Sequence, residues 1–182
     1  MTEGPSLPAD PGFAQVRVRD TIFQARVAAV VASSDGRLLL HRTVGDPIWS
    51  LPGGRLRVGE SVADAVLREL REEARMEAEA GEILWVLENF FEHASAVDGP
   101  GGGEVLKHHE IGIYVEARAP EAFERNETFQ GRELEGTAAE FVLEFRWFGA
   151  AELDDVDIRP ARAVPHLRDF LAAAPRRRSA RR

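Results

Sequence analysis

Three glutamates stand close together near the middle of the chain. Glu69, Glu72 and Glu73 are spaced at i, i+3 and i+4, so in a helix their carboxylates lie on one face. Like charges at this spacing repel one another and cost helix stability. Carboxylate oxygens are also the ligands that a hard divalent cation such as Mg²⁺ takes in proteins. The spacing therefore predicts either a metal site or, more commonly for such a run, a solvated acidic helix face.

The sequence around these glutamates favours the metal site. It reads Gly54-Arg-Leu-Arg-Val-Gly-Glu60, then seven residues, then Arg68-Glu-Leu-Arg-Glu-Glu-Ala-Arg-Met76. This pattern resembles the box of the Nudix hydrolase family, GX5EX7REUXEEXGU with U aliphatic, at every fixed position except one. Arg75 stands where the family has glycine, a residue that ends a helix in the left-handed conformation without steric cost.

The resemblance implies a fold and a set of site residues. The fold is a Nudix-type α/β/α sandwich, an α/β architecture with a mixed central β-sheet. The ligands expected for Mg²⁺ or Mn²⁺ are Glu69, Glu72, Glu73 and the Gly53 carbonyl. Arg68 is expected to hold a carboxylate by a charge-assisted hydrogen bond, and Glu60 to orient the loop or support the metal ligands. Gly54, like Gly53, would let the backbone approach metal and phosphates closely.

The residue that activates the attacking water is left open by the box, because the general base varies among similar proteins. Glu73 is one candidate. Glu140 and Glu144, just upstream of Trp147, are two others, although each is equally typical of a plain strand or surface residue. Glu72 and Arg68 complete the predicted catalytic set.

Several residues outside the box are candidates for substrate binding. Arg42 follows an apolar strand and is expected to reach substrate phosphates. Trp49 and Phe90 offer aromatic faces on which a nucleobase could stack. Phe91 faces the opposite way from Phe90, so one of the two is expected in the core. Residues 108–110, His-His-Glu, are candidates for the pocket lining, with a structural or exposed position as the alternative.

The resemblance implies a divalent-metal-dependent hydrolase that cleaves the pyrophosphate linkage of a nucleoside diphosphate linked to another moiety. Nucleoside triphosphates, nucleotide sugars, ADP-ribose and dinucleoside polyphosphates all stay open as substrates, because selectivity resides in loops outside the box. The main alternative is a catalytically silent module of the same fold that binds a nucleotide or regulates. Such modules usually lose box carboxylates, which this chain keeps. An isomerase on the same fold is a third hypothesis.

Composition and charge limit the classes of molecule that the protein is expected to bind. The chain has 182 residues, a net charge of −8, and five of its arginines in the last seven positions. An otherwise acidic chain argues against stable binding of duplex nucleic acid, and a phosphate-bearing substrate would need a cation to mask the repulsion. The lack of cysteine excludes thiol catalysis and fits a cytoplasmic protein. No run approaches the roughly 20 apolar residues of a membrane span. A homodimer is compatible with the resemblance.

The elements that must position the site follow from the apolar pattern. Residues 61–75 are predicted to form a helix, with Ser61 as its N-cap and one apolar stripe. Strands are predicted at 27–32, 38–40, 48–51, 83–91, 109–117 and 141–148, and a last helix opens at Pro160 or Pro165. The first two strands are expected to form a hairpin through Asp35-Gly36.

The predicted organisation is a single domain. It covers residues 23–173, after a disordered or extended lead at 1–22 and before an Arg-rich tail at 174–182. Long connections are expected at 94–107 and 120–138.

Overall fold

Nine strands, three α-helices and two short 3-10 helices, Ala150–Asp154 and Ala161–Ala163, lie in the described part of the chain. The computed structural model describes residues 12–94, 105–135 and 139–180. The strands are β1 (Gln15–Val18), β2 (Thr21–Val31), β3 (Leu38–Thr43), β4 (Ile48–Ser50), β5 (Glu79–Ala94), β6 (Val105–Arg118), β7 (Thr128–Glu135), β8 (Ala139–Phe148) and β9 (Asp157–Arg159). The α-helices are α1 (Val62–Ala74), α2 (Glu121–Glu124) and α3 (Val164–Ala180).

The strands form two mixed sheets, one in the order β1-β2-β6-β5 and the other in the order β7-β8-β3-β4-β9. In the first, β2 and β6 are parallel, whereas the pairs β1–β2 and β5–β6 are antiparallel. The predicted α/β class is confirmed, with the strands shared between two sheets. None of the helices in the described ranges is both long and apolar enough to cross a bilayer.

The continuous apolar run of β2 is explained by two core clusters on its opposite faces. Val27 and Ala29 belong to a cluster with Leu70 of α1, whereas Ala28 and Val30 belong to a cluster with residues of α3. Successive side chains of a strand point to opposite faces, so a strand between two cores must be apolar at every position.

The predicted hairpin of residues 27–32 and 38–40 is not formed within one sheet. β2 and β3 belong to different sheets, and an isolated bridge between Ala32 and Leu38 connects their ends. β3 instead pairs with β8 and β4. Both strands are apolar on both faces because each packs against two core clusters. A solvent-exposed hairpin would need an apolar surface on one face only.

Ordered elements extend beyond the predicted limits of the domain. β1 precedes residue 23 because it pairs with the first residues of β2, and α3 continues through residue 180 into the predicted tail. The predicted connection at 120–138 carries α2 and β7. Of the connection predicted at 94–107, residues 95–104 lie outside the described ranges, and residues 105–107 belong to β6.

Helix α1 begins and ends where the sequence predicted. The Ser61 hydroxyl accepts the backbone N–H of Asp64 at 3.1 Å, which caps the first turn. At the other end Arg75 has φ 52° and ψ 36°, and its N–H still donates to the Arg71 carbonyl. Arg75 thus ends the helix in the left-handed conformation, which glycine adopts without steric cost.

Replacing Arg75 with glycine is expected to raise the free energy of unfolding by about 0.5–1 kcal/mol. The left-handed conformation costs a residue with a β-carbon roughly 1–2 kcal/mol, and the greater freedom of glycine in the unfolded chain cancels part of that gain. Urea denaturation of both proteins measures the difference. Arg75→Ala is the matched control, because it keeps the β-carbon; an equal gain there would trace the effect to the arginine side chain instead.

His41 is a buried histidine of β3 that contacts the loop after β4. Its Nε2 lies 3.2 Å from the Leu51 carbonyl oxygen, and its ring stacks on Phe145 at 5.3 Å. Burial, assisted by the positive charge of Arg26, lowers the pKa of His41 from 6.5 to about 4. The unfolded chain therefore takes up this proton first, so stability is complete above pH 6.5 and declines as the pH falls towards 4.

From this group alone, the free energy of unfolding is expected to fall by about 3 kcal/mol between pH 7 and pH 4. Denaturant titrations at several pH values measure the slope. His41→Gln retains an N–H for the Leu51 carbonyl but does not titrate, so its stability should change less over the same range. Parallel pH profiles for the two proteins would show that His41 is not the titrating group.

Candidate active site

Helix α1 brings two buried carboxylates against the loop that follows β4. Glu69 is 8% exposed and Glu73 is 3% exposed. The N–H of Gly53 donates to Oε2 of Glu73 at 3.2 Å. A β-carbon added to Gly54 would lie 2.3 Å from Oε1 of Glu69, so this carboxylate fills the space that a side chain would need. The two carboxylates and the Gly53-Gly54 backbone are thus direct neighbours and form the candidate site.

The loop is held in place by β2. Backbone N–H groups of Val27 and Ala29 donate to the carbonyls of Gly54 and Pro52 at 2.9 and 2.8 Å. Gly53 has φ +145°, and a β-carbon there would lie 2.2 Å from the Val27 carbonyl oxygen. Glycine is required at this position because the clash would be with backbone, which cannot turn away.

Arg68 connects the carboxylates of the site. Its Nε and Nη2 donate to the two oxygens of Glu60 at 2.7 and 3.0 Å. Its Nη1 donates to Glu69 at 2.7 Å and to Glu72 at 3.2 Å. Arg68 thus contacts three glutamates and gives Glu60 a bidentate partner, while its positioning role stays a prediction.

Burial and Arg68 shift the pKa values of Glu69 and Glu60 in opposite directions. Burial raises the pKa of Glu69, although the charge and hydrogen bond of Arg68 partly compensate. Burial also acts to raise the pKa of Glu60, but hydrogen bonds from Arg68 and the Arg57 N–H leave this pKa below its usual value. The hydrogen bond to Glu60 raises the pKa of Arg68, which keeps the guanidinium charged.

The donor set fits a hard divalent cation by its chemistry. Glu69, Glu72, Glu73 and the Gly53 carbonyl offer only oxygen atoms, as Mg²⁺ and Mn²⁺ prefer. Within the described ranges, no three acidic or histidine side chains already surround one point as a cation site. Arg68 instead bonds Glu69 and the half-exposed Glu72, and Arg26 donates to the Gly53 carbonyl at 2.6 Å. The metal ligands stay a prediction.

A cavity of about 500 Å³ adjoins the site formed by the two carboxylates and the glycine loop. Its lining includes Arg26, Phe91, Glu110, Tyr114, Arg159 and Arg162. Arg26 joins the cavity to the glycine loop, since it lines the first and donates to the second. Three arginines on one cavity suit the binding of phosphate groups.

Arg42 contacts both Glu144 and Trp49, and none of the three belongs to the described lining of this cavity. Arg42 and Glu144 are partners in the β3–β8 register and form an ion pair at 2.8 Å. The Arg42 guanidinium covers the Trp49 ring at 4.5 Å, and the buried indole packs edge-on against Phe148. Trp49 is thus a core residue in this structure, which differs from its predicted stacking on a nucleobase.

The remaining candidates lie on β5, β6 and β8. Phe90 and Phe91 line the cavity, and their rings stack on His109 and His108 at 4.4 and 4.6 Å. Neither phenylalanine is buried in the core, although one was expected there. Glu140 is placed in β8 opposite Leu134, and its role as a base stays a prediction.

Sequence reasoning missed Arg26, Gln24, Tyr114 and the two cavity arginines of the segment 159–162. For Arg26 a signal existed, because it is the single charged residue in the 11-residue strand β2. A lone charge in a strand that is otherwise largely apolar often faces a cavity or a partner. Arg159 and Arg162 carry no such signal, since exposed arginines are ordinary near a chain end.

Comparison with known proteins places the chain in a family. The NUDIX domain family matches residues 22–173. A MutT-like protein of Streptomyces ambofaciens is 41% identical over 68 residues, which are 37% of this chain and 44% of that protein. The m7GpppN-mRNA hydrolase of Bos taurus is 30% identical over 128 residues, 68% of this chain and 40% of that protein. The chain thus spans less than half the length of these curated relatives.

A solved structure supports the same assignment at the level of the fold. The MutT protein from Methanosarcina mazei Go1 superposes with a TM-score of 0.51 at 20% identity, over 89% of this chain and 99% of that one. The family match covers most of the chain and includes the complete site described above. This chain is a member of the NUDIX domain family.

Proposed function

We propose that this protein is a divalent-metal-dependent hydrolase that cleaves the pyrophosphate linkage of a nucleoside diphosphate linked to another group. One observation carries the proposal: the buried carboxylates of Glu69 and Glu73 meet the glycine loop beside a cavity lined by three arginines. Carboxylates on one side suit a cation, and guanidinium groups on the other suit phosphates. A phosphate chain between them would contact both.

The three arginines of the cavity are assigned to different parts of the substrate. Arg26 stands at the junction of loop and cavity, so its remaining N–H groups can reach the phosphate nearest the site of cleavage. Arg159 is already paired with Asp157 at 2.8 Å, and Arg162 donates to the Glu88 carbonyl at 3.3 Å. These two are therefore assigned to the outer part of the substrate.

Glu73 is the proposed general base, and Arg68 is the residue that positions the other carboxylates. Bound Mg²⁺ or Mn²⁺, held by Glu69, Glu72, Glu73 and the Gly53 carbonyl, would supply positive charge at the phosphates and acidify water. Glu73 then accepts a proton from the attacking water, and the N–H of Gly53 steadies its carboxylate. Glu144 is a weaker candidate, because Arg42 holds it in an ion pair.

The relatives support hydrolysis of a phosphoric anhydride. One is named as an m7GpppN-mRNA hydrolase, a protein whose substrate joins nucleosides through phosphates. For this chain, a small nucleotide substrate belongs to the proposal, and a cytoplasmic location and a homodimer stay predictions from sequence.

The test is a panel of nucleoside triphosphates, nucleotide sugars, ADP-ribose and dinucleoside polyphosphates, with Mg²⁺, Mn²⁺ or EDTA. Metal-dependent release of a mononucleotide or nucleoside diphosphate, identified by mass, is expected for at least one class. EDTA should abolish it. Binding of nucleotides with no cleavage under any condition would overturn the hydrolase and favour the silent binding module.

A further inference from the structure

Three polar side chains form one row across β2, β6 and β5, and two of them line the cavity. In the sheet register Glu110 is the direct partner of both Gln24 and Asn89. Gln24 and Glu110 are each 6% exposed, and Nε2 of Gln24 donates to Oε2 of Glu110 at 2.8 Å. Glu110 and Asn89 line the cavity. The metal site does not require this row, so its buried carboxylate needs another explanation.

Flat rings stand on both sides of the polar row. Before it in the register, Phe91 and His108 stack at 4.6 Å with their planes 6° apart. Beyond it, the ring of Tyr114 lies over Gly112, where an added β-carbon would approach the ring to 3.1 Å. A polar stripe between aromatic rings has the chemistry of a slot for a nucleobase, which stacks by its faces and is read by its edge.

The hydrogen-bonding capacity of the row points to one kind of base. Oε2 of Glu110 accepts from Gln24, and in the described part of the chain Oε1 has no hydrogen-bond donor. A carboxylate pairs best with two adjacent N–H groups, and an asparagine amide can donate to a neighbouring carbonyl. Guanine presents this pattern, N1–H and N2–H beside O6. Adenine places the N1 acceptor next to its amino group, and uracil offers a single N–H between two carbonyls.

We propose that Gln24, Glu110 and Asn89 recognise the base of the substrate and select guanine. Glu110 accepts from N1–H and N2–H, Asn89 donates towards O6, and Gln24 positions the Glu110 carboxylate. This proposal rests on the proposed function, because it names the nucleoside part of that same substrate. A base that cannot supply the donors leaves Oε1 of the buried carboxylate without a partner while Gln24 still bonds Oε2, and such a mismatch is costly.

Nucleoside monophosphates test the proposal without any cleavage, since they contain no anhydride. Calorimetric titration with GMP, IMP, AMP and UMP in the presence of Mg²⁺ gives the four dissociation constants. GMP is expected to bind about 10- to 100-fold more tightly than AMP, the discrimination typical of a bidentate base contact. IMP lacks the N2 amino group and should fall between them. AMP or UMP binding as tightly as GMP would overturn the assignment.

Two variants examine the residues themselves. Glu110→Gln should bring the GMP and AMP constants to within about threefold of each other, because one of the two accepting oxygens becomes an NH₂ group, which donates and would face an N–H of guanine. Glu88→Gln is the matched control, since Glu88 lies on β5, is exposed and bonds His109 outside the row. It should keep the GMP preference. If Glu110→Gln does not fold, Asn89→Ala replaces it, with an expected loss of GMP affinity of about tenfold and little change for AMP.

The two proposals fail in different ways. An unchanged ratio of GMP to AMP affinity in the Glu110 or Asn89 variant would overturn guanine selection. Cleavage of several nucleotides without preference for a base would also overturn it, and would leave the hydrolase standing. Selective binding of GMP with no cleavage of the guanine members of the panel would instead overturn the hydrolase and support the base assignment.

Discussion

Glu73→Gln lowers the turnover of the proposed hydrolysis by about 10²- to 10⁴-fold, the usual contribution of a general base. Glutamine has the same shape as glutamate, and its carbonyl can still accept the N–H of Gly53, so the fold is expected to survive. The lost properties are a negative charge for the cation and a site for the proton. Initial rates on the best substrate of the panel, with circular dichroism for folding, measure the two effects separately.

The control for this change is Glu77→Gln, just beyond the helix. Glu77 is exposed and paired with Arg71 at 3.0 Å, so the substitution removes the same charge from a surface ion pair. Its turnover should remain close to that of the parent protein. Near-normal turnover in Glu73→Gln would remove Glu73 from the catalytic set and return attention to Glu140 and Glu144.

Gly53→Ala is expected to have the largest effect on stability, a loss of about 3 kcal/mol or more in the free energy of unfolding. The new β-carbon would meet the Val27 carbonyl oxygen at 2.2 Å and Cα of Ala28 at 2.9 Å. These atoms belong to a buried strand, so relief requires the loop to leave β2. Urea denaturation measures the stability loss, and the activity of the folded fraction should fall with it.

Gly45→Ala separates the cost of a positive φ from the cost of the clash between the new β-carbon and β2. Gly45 also has a positive φ, +90°, but a β-carbon there would meet no atom within 4 Å. Its cost should therefore be limited to about 1–2 kcal/mol for the backbone conformation alone. Equal losses in the two variants would show that contact with β2 is not the reason for glycine at residue 53.

The local features of the site were open to prediction because their causes are local. Ser61 caps α1, and the spacing of Glu69, Glu72 and Glu73 follows from the geometry of a single helix. Arg75 ends α1 in the left-handed conformation with φ 52°, a conformation that glycine adopts without steric cost. The family and the α/β class were therefore accessible from a short stretch of residues.

The contacts between distant strands were not open to prediction in the same way. Arg42 and Glu144 are 102 positions apart and meet because β3 and β8 pair in one particular register. A shift of one residue would turn each side chain to the opposite face of the sheet. The same dependence hid the burial of Trp49 and the separation of β2 and β3 into two sheets.

The sequence by itself determined helix α1, its N-cap, the spacing of its carboxylates and the family to which the chain belongs. The tertiary structure alone decided that Arg26 joins the glycine loop to a cavity. It also decided that Gln24, Glu110 and Asn89 form one row, of which Glu110 and Asn89 line that cavity. The physical reason is the range of the interactions: a helix is specified by neighbours three or four residues apart, whereas the cavity exists only where strands from separate parts of the chain are paired.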